Sequence, residues 1–263
     1  MGTYLDTIIA AHRAAAASDE RSLDDLLTAV EGSPPPRGFG AALAASPTLR
    51  VIAEIKRRSP SKGALNPDLD PASVAADYER GGAACLSVLT DAEFFGGSPA
   101  DLGAARAGCR LPVLRKDFTV DPRDVADARL MGADAVLLIV AALDDASLRS
   151  LLGLAADLAL DALVEVHDER ELDRAAAAGA AIIGVNQRDL STFEIDRERA
   201  VKLAPRMPDG VTTVAESGIR GSEDARAIAS AGYHAVLVGE SVVTSGDPAA
   251  AVAALAEVPV ACS

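Results

Sequence analysis

The sequence predicts a closed (β/α)8 barrel of the TIM type carrying an N-terminal helical extension, and three observations predict it. Eight short apolar runs recur along the chain, separated by Ala-rich amphipathic stretches. Within each run apolar residues are largely consecutive rather than alternate, as in parallel strands covered by helices on both faces. Several intervening stretches end in Gly, which favours a helix C-terminal cap. The runs are VIAEIK (51–56), ACLSVL (84–89), PVLRK (112–116), DAVLLI (134–139), ALVEV (162–166), AIIGVN (181–186), TTVAES (212–217) and AVLVG (235–239). Their starts lie 33, 28, 22, 28, 19, 31 and 23 residues apart, the rhythm of repeated β-loop-α units. Alternation of the two signals specifies α/β, and eight units in series favour a barrel over a doubly wound open sheet.

Taken in chain order, residues 1–45 form the extension and 46–263 the barrel. Two helices are expected in the extension, over Thr3–Ala16 and Ser22–Glu31, followed by the stiff SPPPRG (33–38), where three prolines exclude helix. Its apolar positions suit packing across one end of the barrel better than a dimer surface. Within the barrel, helices are expected over Pro71–Arg80, Asp124–Met131, Asp145–Leu158, Glu169–Ala178 and Ser222–Ala231, with Gly81, Gly132, Gly179 and Gly232 as caps.

Composition narrows the function. The 263 residues carry 25 basic and 39 acidic side chains, a net charge of −14, so nucleic acid or an anionic membrane would meet a repulsive average field. The longest apolar stretch, Ala135 to Leu143, has nine residues against the roughly 20 a spanning helix needs. The start MGTYLDTIIAAHR lacks a secretory pattern, and Asp6 spoils a myristoylation motif, so a cytoplasmic protein is expected. Cys85, Cys109 and Cys262 have no metal-like spacing and read as reduced, structural thiols.

In such a barrel the chemistry sits at the C-terminal strand ends, where buried charge is costly. Glu54 and Lys56 lie two apart on the first strand; Lys116 ends the third, Glu165 lies on the fifth, Asn186 ends the sixth and Glu216 the seventh. Any one alone reads as readily as a structural ion pair. Six together favour a positioned acid-base site, since environment can pull the pKa values of such groups apart. Which group is acid and which base stays open.

A second signal is for phosphate. Ser217-Gly218 follows the seventh strand and Gly239 the eighth, where barrels bind phosphate through loop amides and a short helix N-terminus. RRSPSKG (57–63) adds Ser59, Ser61, Arg57, Arg58 and Lys62 as donors and charge. Third, of five Phe, Phe94, Phe95, Phe118 and Phe193 fall near the expected mouth, as walls for a flat apolar ligand or as loop packing. His12, His167 and His234 form no pattern; His167 reads as a surface or capping residue, and no metal-ligand set is expected.

These residues resemble indole-3-glycerol phosphate synthase of tryptophan biosynthesis. VIAEIKRRSPSKG (51–63), FFGGS (94–98), PVLRKDF (112–118), GADAVLLIVAAL (132–143), ALVEVHDE (162–169), IIGVNQRDL (182–190), VAESGI (214–219) and VLVGES (236–241) look like the family's successive motifs, over about residues 50 to 250. The resemblance implies closure of 1-(2-carboxyphenylamino)-1-deoxyribulose 5-phosphate to an indole with loss of carbon dioxide and water, without a cofactor. It implies Lys116 as the general acid on the ribulose carbonyl oxygen. Dehydration would use a pair drawn from Glu165, Lys56 and Glu54, with the assignment open. Lys56 and Asn186 would contact substrate carboxylate or hydroxyls, and Glu216 and Arg188 would order the sugar and the charge network. Ser59, Ser217, Gly218, Gly239 and Glu240 would cradle phosphate; Phe95, Phe118, Leu137 and Leu190 would line the anthranilate pocket.

Three features depart from the pattern. The extension matches loosely, Asp121-Pro122-Arg123-Asp124 replaces a stretch where many relatives carry a Tyr-Gln pair, and Glu240 stands where some carry a small hydroxyl residue. A carboxylate there is harmless to phosphate only if its backbone N–H alone faces the anion. The expected partner is a small phosphorylated substrate, with the chain a monomer or weak homodimer. Competing readings are another phosphosugar barrel, isomerase or Schiff-base lyase, and a non-catalytic barrel that binds phosphorylated metabolites.

Overall fold

The computed structural model describes residues 3–44, 46–59, 62–189 and 192–260. Eight parallel strands close into a barrel: β1 (Arg50–Ile55), β2 (Cys85–Leu89), β3 (Val113–Lys116), β4 (Ala135–Ile139), β5 (Asp161–Val166), β6 (Ile182–Asn186), β7 (Thr212–Glu216) and β8 (Ala235–Val238). Each pairs with its sequence neighbours, and β1 closes the ring against β8. The apolar runs become strands because both faces are covered; Leu86, Leu114, Leu138 and Leu163 are fully buried. Each such Leu contributes about 1.5–3 kcal/mol relative to an exposed one. A two-stranded antiparallel ribbon, Arg58–Ser59 with Gly63–Ala64, rises after β1.

Helices start where the sequence supplies caps. Asp70, Ser98, Asp121, Asp144, Asp168 and Asp247 each accept a first-turn backbone N–H, worth about 1 kcal/mol apiece. Proline follows four of them, at Pro71, Pro99, Pro122 and Pro248, where its missing N–H costs nothing. The C-terminal ends depart from expectation at one point. Gly132, Gly179 and Gly232 take the left-handed conformation, but Gly81 does not, and Gly82 holds that place at φ +84°. Gly81 is needed for close approach instead: a Cβ there would lie 2.5 Å from the Ala249 carbonyl oxygen.

The extension runs from one end of the barrel to the other. Helix α1 (Tyr4–Ser18), capped by Thr3, lies at the C-terminal mouth, and α2 (Leu23–Val30), capped by Ser22, lies along the helix Pro122–Leu130. Arg123 fixes the end of α1 by donating to the Ala16 carbonyl at 2.7 Å, and Arg21 pairs with Asp127 at 2.8 Å. The stretch Asp121–Asp124 is thus the anchor of α1. At the opposite end Phe39 and Leu43 are fully buried, and the Gly40 N–H bonds Asp161 at the start of β5. Sequence reasoning placed the extension at one end; its apolar positions serve both.

Cys85 and Cys109 are buried free thiols, and Cys262 lies outside the described residues. No helix among the described residues is long and apolar enough to cross a membrane.

Candidate active site

The C-terminal strand ends open into a cavity of about 460 Å³. Glu54, Lys56, Lys116, Glu165, Asn186 and Glu216 all line it. Register brings them together: Glu165 pairs with Gly184, and Asn186 with Glu216. Lys116 Nζ stands 3.3 Å from Glu165 Oε2 and 3.7 Å from Glu216 Oε2, while Lys56 pairs with Glu54. Two glycines make room for the carboxylates. A Cβ at Gly184 would collide with Glu216, and one at Gly239 with Glu54.

The neighbours divide the charge states. Burial alone would drive Lys116 toward the neutral amine, but Glu165, Glu216 and Glu54 outweigh it and raise its pKa. Burial likewise pushes Glu165 up, yet Lys116, His167 and the Asn186 amide hold its pKa below the ordinary value. For Glu216, burial and the Glu165 charge overcome Lys116 and push it up to about 8. The surroundings therefore favour the charged forms of Lys116 and Glu165 and the neutral form of Glu216. Glu165 Oε1 and Glu216 Oε1 are buried without hydrogen-bond partners among the described residues.

Ser59, Lys62, Ser217, Gly218, Gly239, Glu240 and Ser241 form the polar rim. Ser217 and Gly218 both adopt left-handed backbone, φ +67° and +76°, in the sharp turn after β7. Gly239 caps the short helix Glu240–Val243, whose first amides have no acceptor within the helix. The carboxylate of Glu240 does not stand alone beside this rim, because it pairs with Lys62. The other cations of the first loop turn away, correcting the expectation that they face an anion. Arg57 binds Asp101 and the Pro67 and Leu69 carbonyls, and Arg58 binds the Phe94 and Glu93 carbonyls. Ser61 lies outside the described residues.

Phe95, Phe118, Leu137 and Phe193 supply apolar wall, and Arg188 lines the same space. Leu190 lies outside the described residues. Phe94 is not part of the wall; it packs edge-on against Tyr4. Tyr4, Leu5 and Ile8 of α1 complete the lining, a contribution the sequence reading missed. Their i, i+1, i+4 spacing marks one helix face, but nothing in that spacing says which end of the barrel it meets.

The family model described as indole-3-glycerol phosphate synthase matches residues 5–255. The chain belongs to the indole-3-glycerol phosphate synthase family. The match takes in α1 and α2, so the extension is part of the family pattern rather than an addition to it. The indole-3-glycerol phosphate synthase of Mycobacteroides abscessus is 52% identical over 97% of this chain and 94% of its own length. That of Mycolicibacterium smegmatis is 53% identical over 96% and 93%. The solved 3-hexulose-6-phosphate synthase of Salmonella typhimurium superposes with a TM-score of 0.62 at 14% identity, over 80% of this chain and 97% of its own, a likeness of fold. As an indole-3-glycerol phosphate synthase the chain is a carboxy-lyase of tryptophan biosynthesis acting on a small phosphorylated substrate, and the isomerase, Schiff-base and non-catalytic readings are not favoured.

Two histidines of this synthase hold places that the sequence did not show. His12 Nε2 meets Asp91 Oδ2 at 3.1 Å and Asp117 Oδ1 at 3.9 Å, tying α1 to the loops after β2 and β3. These three could hold a metal ion, a grouping not expected from spacing. Of the oxygens that face the ring, however, Asp91 Oδ2 is taken by His12 itself and Asp117 Oδ1 accepts the Phe118 amide at 2.9 Å, while Asp117 Oδ2 accepts from Thr90 and Arg115 and Asp91 Oδ1 from the Phe94 and Phe95 amides. His167 is not a surface residue; its Nε2 is buried and lies 3.4 Å from Glu165 Oε1.

Proposed function

We propose that this chain performs the ring closure of 1-(2-carboxyphenylamino)-1-deoxyribulose 5-phosphate to indole-3-glycerol phosphate through the residues of this cavity. The observation that carries the reading is the cationic Lys116 between two buried carboxyl groups whose pKa values diverge, Glu165 down and Glu216 up to about 8. Lys116 donates a proton to the ribulose carbonyl oxygen as the carboxyl-bearing ring carbon attacks the carbonyl carbon, forming the carbon–carbon bond. Cleavage of the ring–carboxylate bond then releases carbon dioxide, and its electron pair returns to the ring system. In the dehydration, Lys56 gives a proton to the departing hydroxyl, and Glu165, ionised in the resting cluster, takes the proton whose loss completes the indole and returns it to the Lys116 amine 3.3 Å away.

Around that centre, Asn186 fixes the Glu165 carboxylate and reaches substrate hydroxyls, while protonated Glu216 and Arg188 order the sugar. Ser59, Ser217, Gly218, Gly239 and the backbone of Glu240 receive the phosphate, and Lys62 exchanges its Glu240 partner for it. Phe95, Phe118 and Leu137 flank the anthranilate ring, with Tyr4 and Ile8 above it. The chain works in the cytoplasm as a monomer or weak homodimer, and its net charge of −14 keeps it off nucleic acid and anionic membranes.

Incubating the protein with the carboxyphenylamino substrate and exciting the indole band tests the reading directly, because the chain contains no Trp. A rising indole signal is expected. Bound substrate with no signal would overturn it.

A further inference from the structure

Beside the proposed base, the mechanism gives no part to His167, the first residue after β5, whose Nε2 is buried against Glu165. Its surroundings are built on both sides of the ring. On one side Glu171 Oε2 accepts the His167 backbone N–H at 2.8 Å and lies 3.1 Å from Nδ1. Glu171 is itself placed by Asp168, the N-cap of the helix Glu169–Ala177, which accepts the Glu171 amide. A carboxylate oxygen only accepts, so Nδ1 carries a hydrogen. That commits Nε2 to the other side, where it faces Glu165 Oε1 at 3.4 Å. Both atoms are buried and have no other hydrogen-bond partner among the described residues.

Such a gap has one stable filling. A neutral ring with hydrogen on Nδ1 would set its Nε2 lone pair against the lone pairs of an ionised Glu165. A proton between them removes the conflict, held as imidazolium beside carboxylate or as imidazole beside carboxylic acid. The opposite oxygen, Oε2, is already held by Lys116 at 3.3 Å, which favours the ionised carboxylate and hence the proton on the ring.

We propose that His167, anchored through Nδ1 on Glu171, is a positioning residue for Glu165 that places a protonated Nε2 on Oε1 and so orients and ionises the carboxylate that serves as base. This rests on the role given to Glu165 above. The charged and titratable groups around the pair are consistent with it. Burial opposes charge on His167, but Glu171 and Glu165 outweigh both burial and the more distant Arg199, and the ring pKa is raised. Arg199 is turned to the Asn186 carbonyl at 2.9 Å. On the far side of Glu165 stand Lys116 and Glu216, and the Asn186 amide adds to the groups that lower the Glu165 pKa.

Two measurements test it. Imidazole nitrogen-15 shifts, with each of the three histidines assigned by substituting it in turn, are expected to show His167 with hydrogen on Nδ1 and a titration above the ordinary 6.5. That midpoint is expected to fall by about 1 pH unit in Glu165→Gln. In turnover, His167→Ala is expected to leave KM unchanged, lower kcat, and move the acidic limb of the kcat profile up by about 1 pH unit. His167→Gln, which keeps a donor without the charge, recovers part of kcat but not the limb. A His167 titration indifferent to Glu165→Gln, hydrogen on Nε2 alone at neutral pH, or an acidic limb unmoved in both variants would each overturn the proposal. Failure of wild-type turnover would defeat the proposed function instead, and the histidine titration would still decide whether His167 and Glu165 share the proton.

Discussion

The two ends of this barrel bury charge in opposite ways. At the floor, Asp134 precedes β4 and is wholly buried, yet every direction is filled. Oδ1 accepts the Arg37 N–H at 2.6 Å, and Oδ2 accepts the Val113 N–H at 2.7 Å and the Arg106 guanidinium. Asp161 does the same for the Gly40 N–H at 2.8 Å. The partners are backbone groups and an arginine of the helix Pro99–Gly108, so the charges have one arrangement. At the mouth, Glu165 Oε1, Glu216 Oε1 and His167 Nε2 are equally buried but unbonded among the described residues. Floor carboxylates hold the extension to the barrel; each of these mouth carboxylates has one oxygen with no hydrogen bond among the described residues, at the place where protons must move. The contrast is the division expected between the two faces of such a barrel, stability below and chemistry above.

Breaking the mouth should cost activity far more than stability. Glu165→Gln is expected to cut kcat by about 10²- to 10⁴-fold, with a ring-closed intermediate accumulating, as loss of an acid-base group does. Single-turnover quench analysis checks this, and a variant that loses only affinity would assign Glu165 a binding role. Breaking the floor should do the reverse. Asp134→Ala leaves Arg106 and two backbone donors without their partner and is expected to lower unfolding free energy by about 3 kcal/mol, with kcat of the folded fraction unchanged. Urea unfolding together with active-site titration measures both, and equal loss of kcat would erase the distinction.

A smaller effect sharpens the comparison through pH. Glu216 is pushed up to about 8 from an ordinary 4.5, so across that interval the folded chain binds more protons than the unfolded one. Stability contributed by protonated Glu216 is therefore lost as pH rises through about 8. Urea unfolding at pH values on either side of that interval should show a decline that flattens in Glu216→Gln. An unchanged slope would place the titration elsewhere.

Much of this was legible in the sequence, for stated reasons. Eight apolar runs with helical spacers can satisfy their backbone groups together in a closed parallel sheet, and β1 to β8 fall on those runs. Lys116, Glu165 and Glu216 stood out because charge on a strand buried on both faces needs a reason to be there. What spacing cannot show is direction. Arg57 and Arg58 look like an anion site in a basic loop, yet carbonyls and Asp101 turn them outward. Tyr4 and Ile8 look like ordinary helix apolar positions until Arg123 and His12 fix α1 at the mouth. His167 looked idle because its partners lie two residues back on a strand and four residues on along a helix.

The most direct test of the central claim is a single turnover of Lys116→Ala with excess enzyme, watched in the indole band beside wild type. The account predicts a folded variant that binds substrate and forms no indole on the timescale on which wild type completes its turnover. Indole formed by the variant at the wild-type rate would contradict it and would move the proton donor away from Lys116.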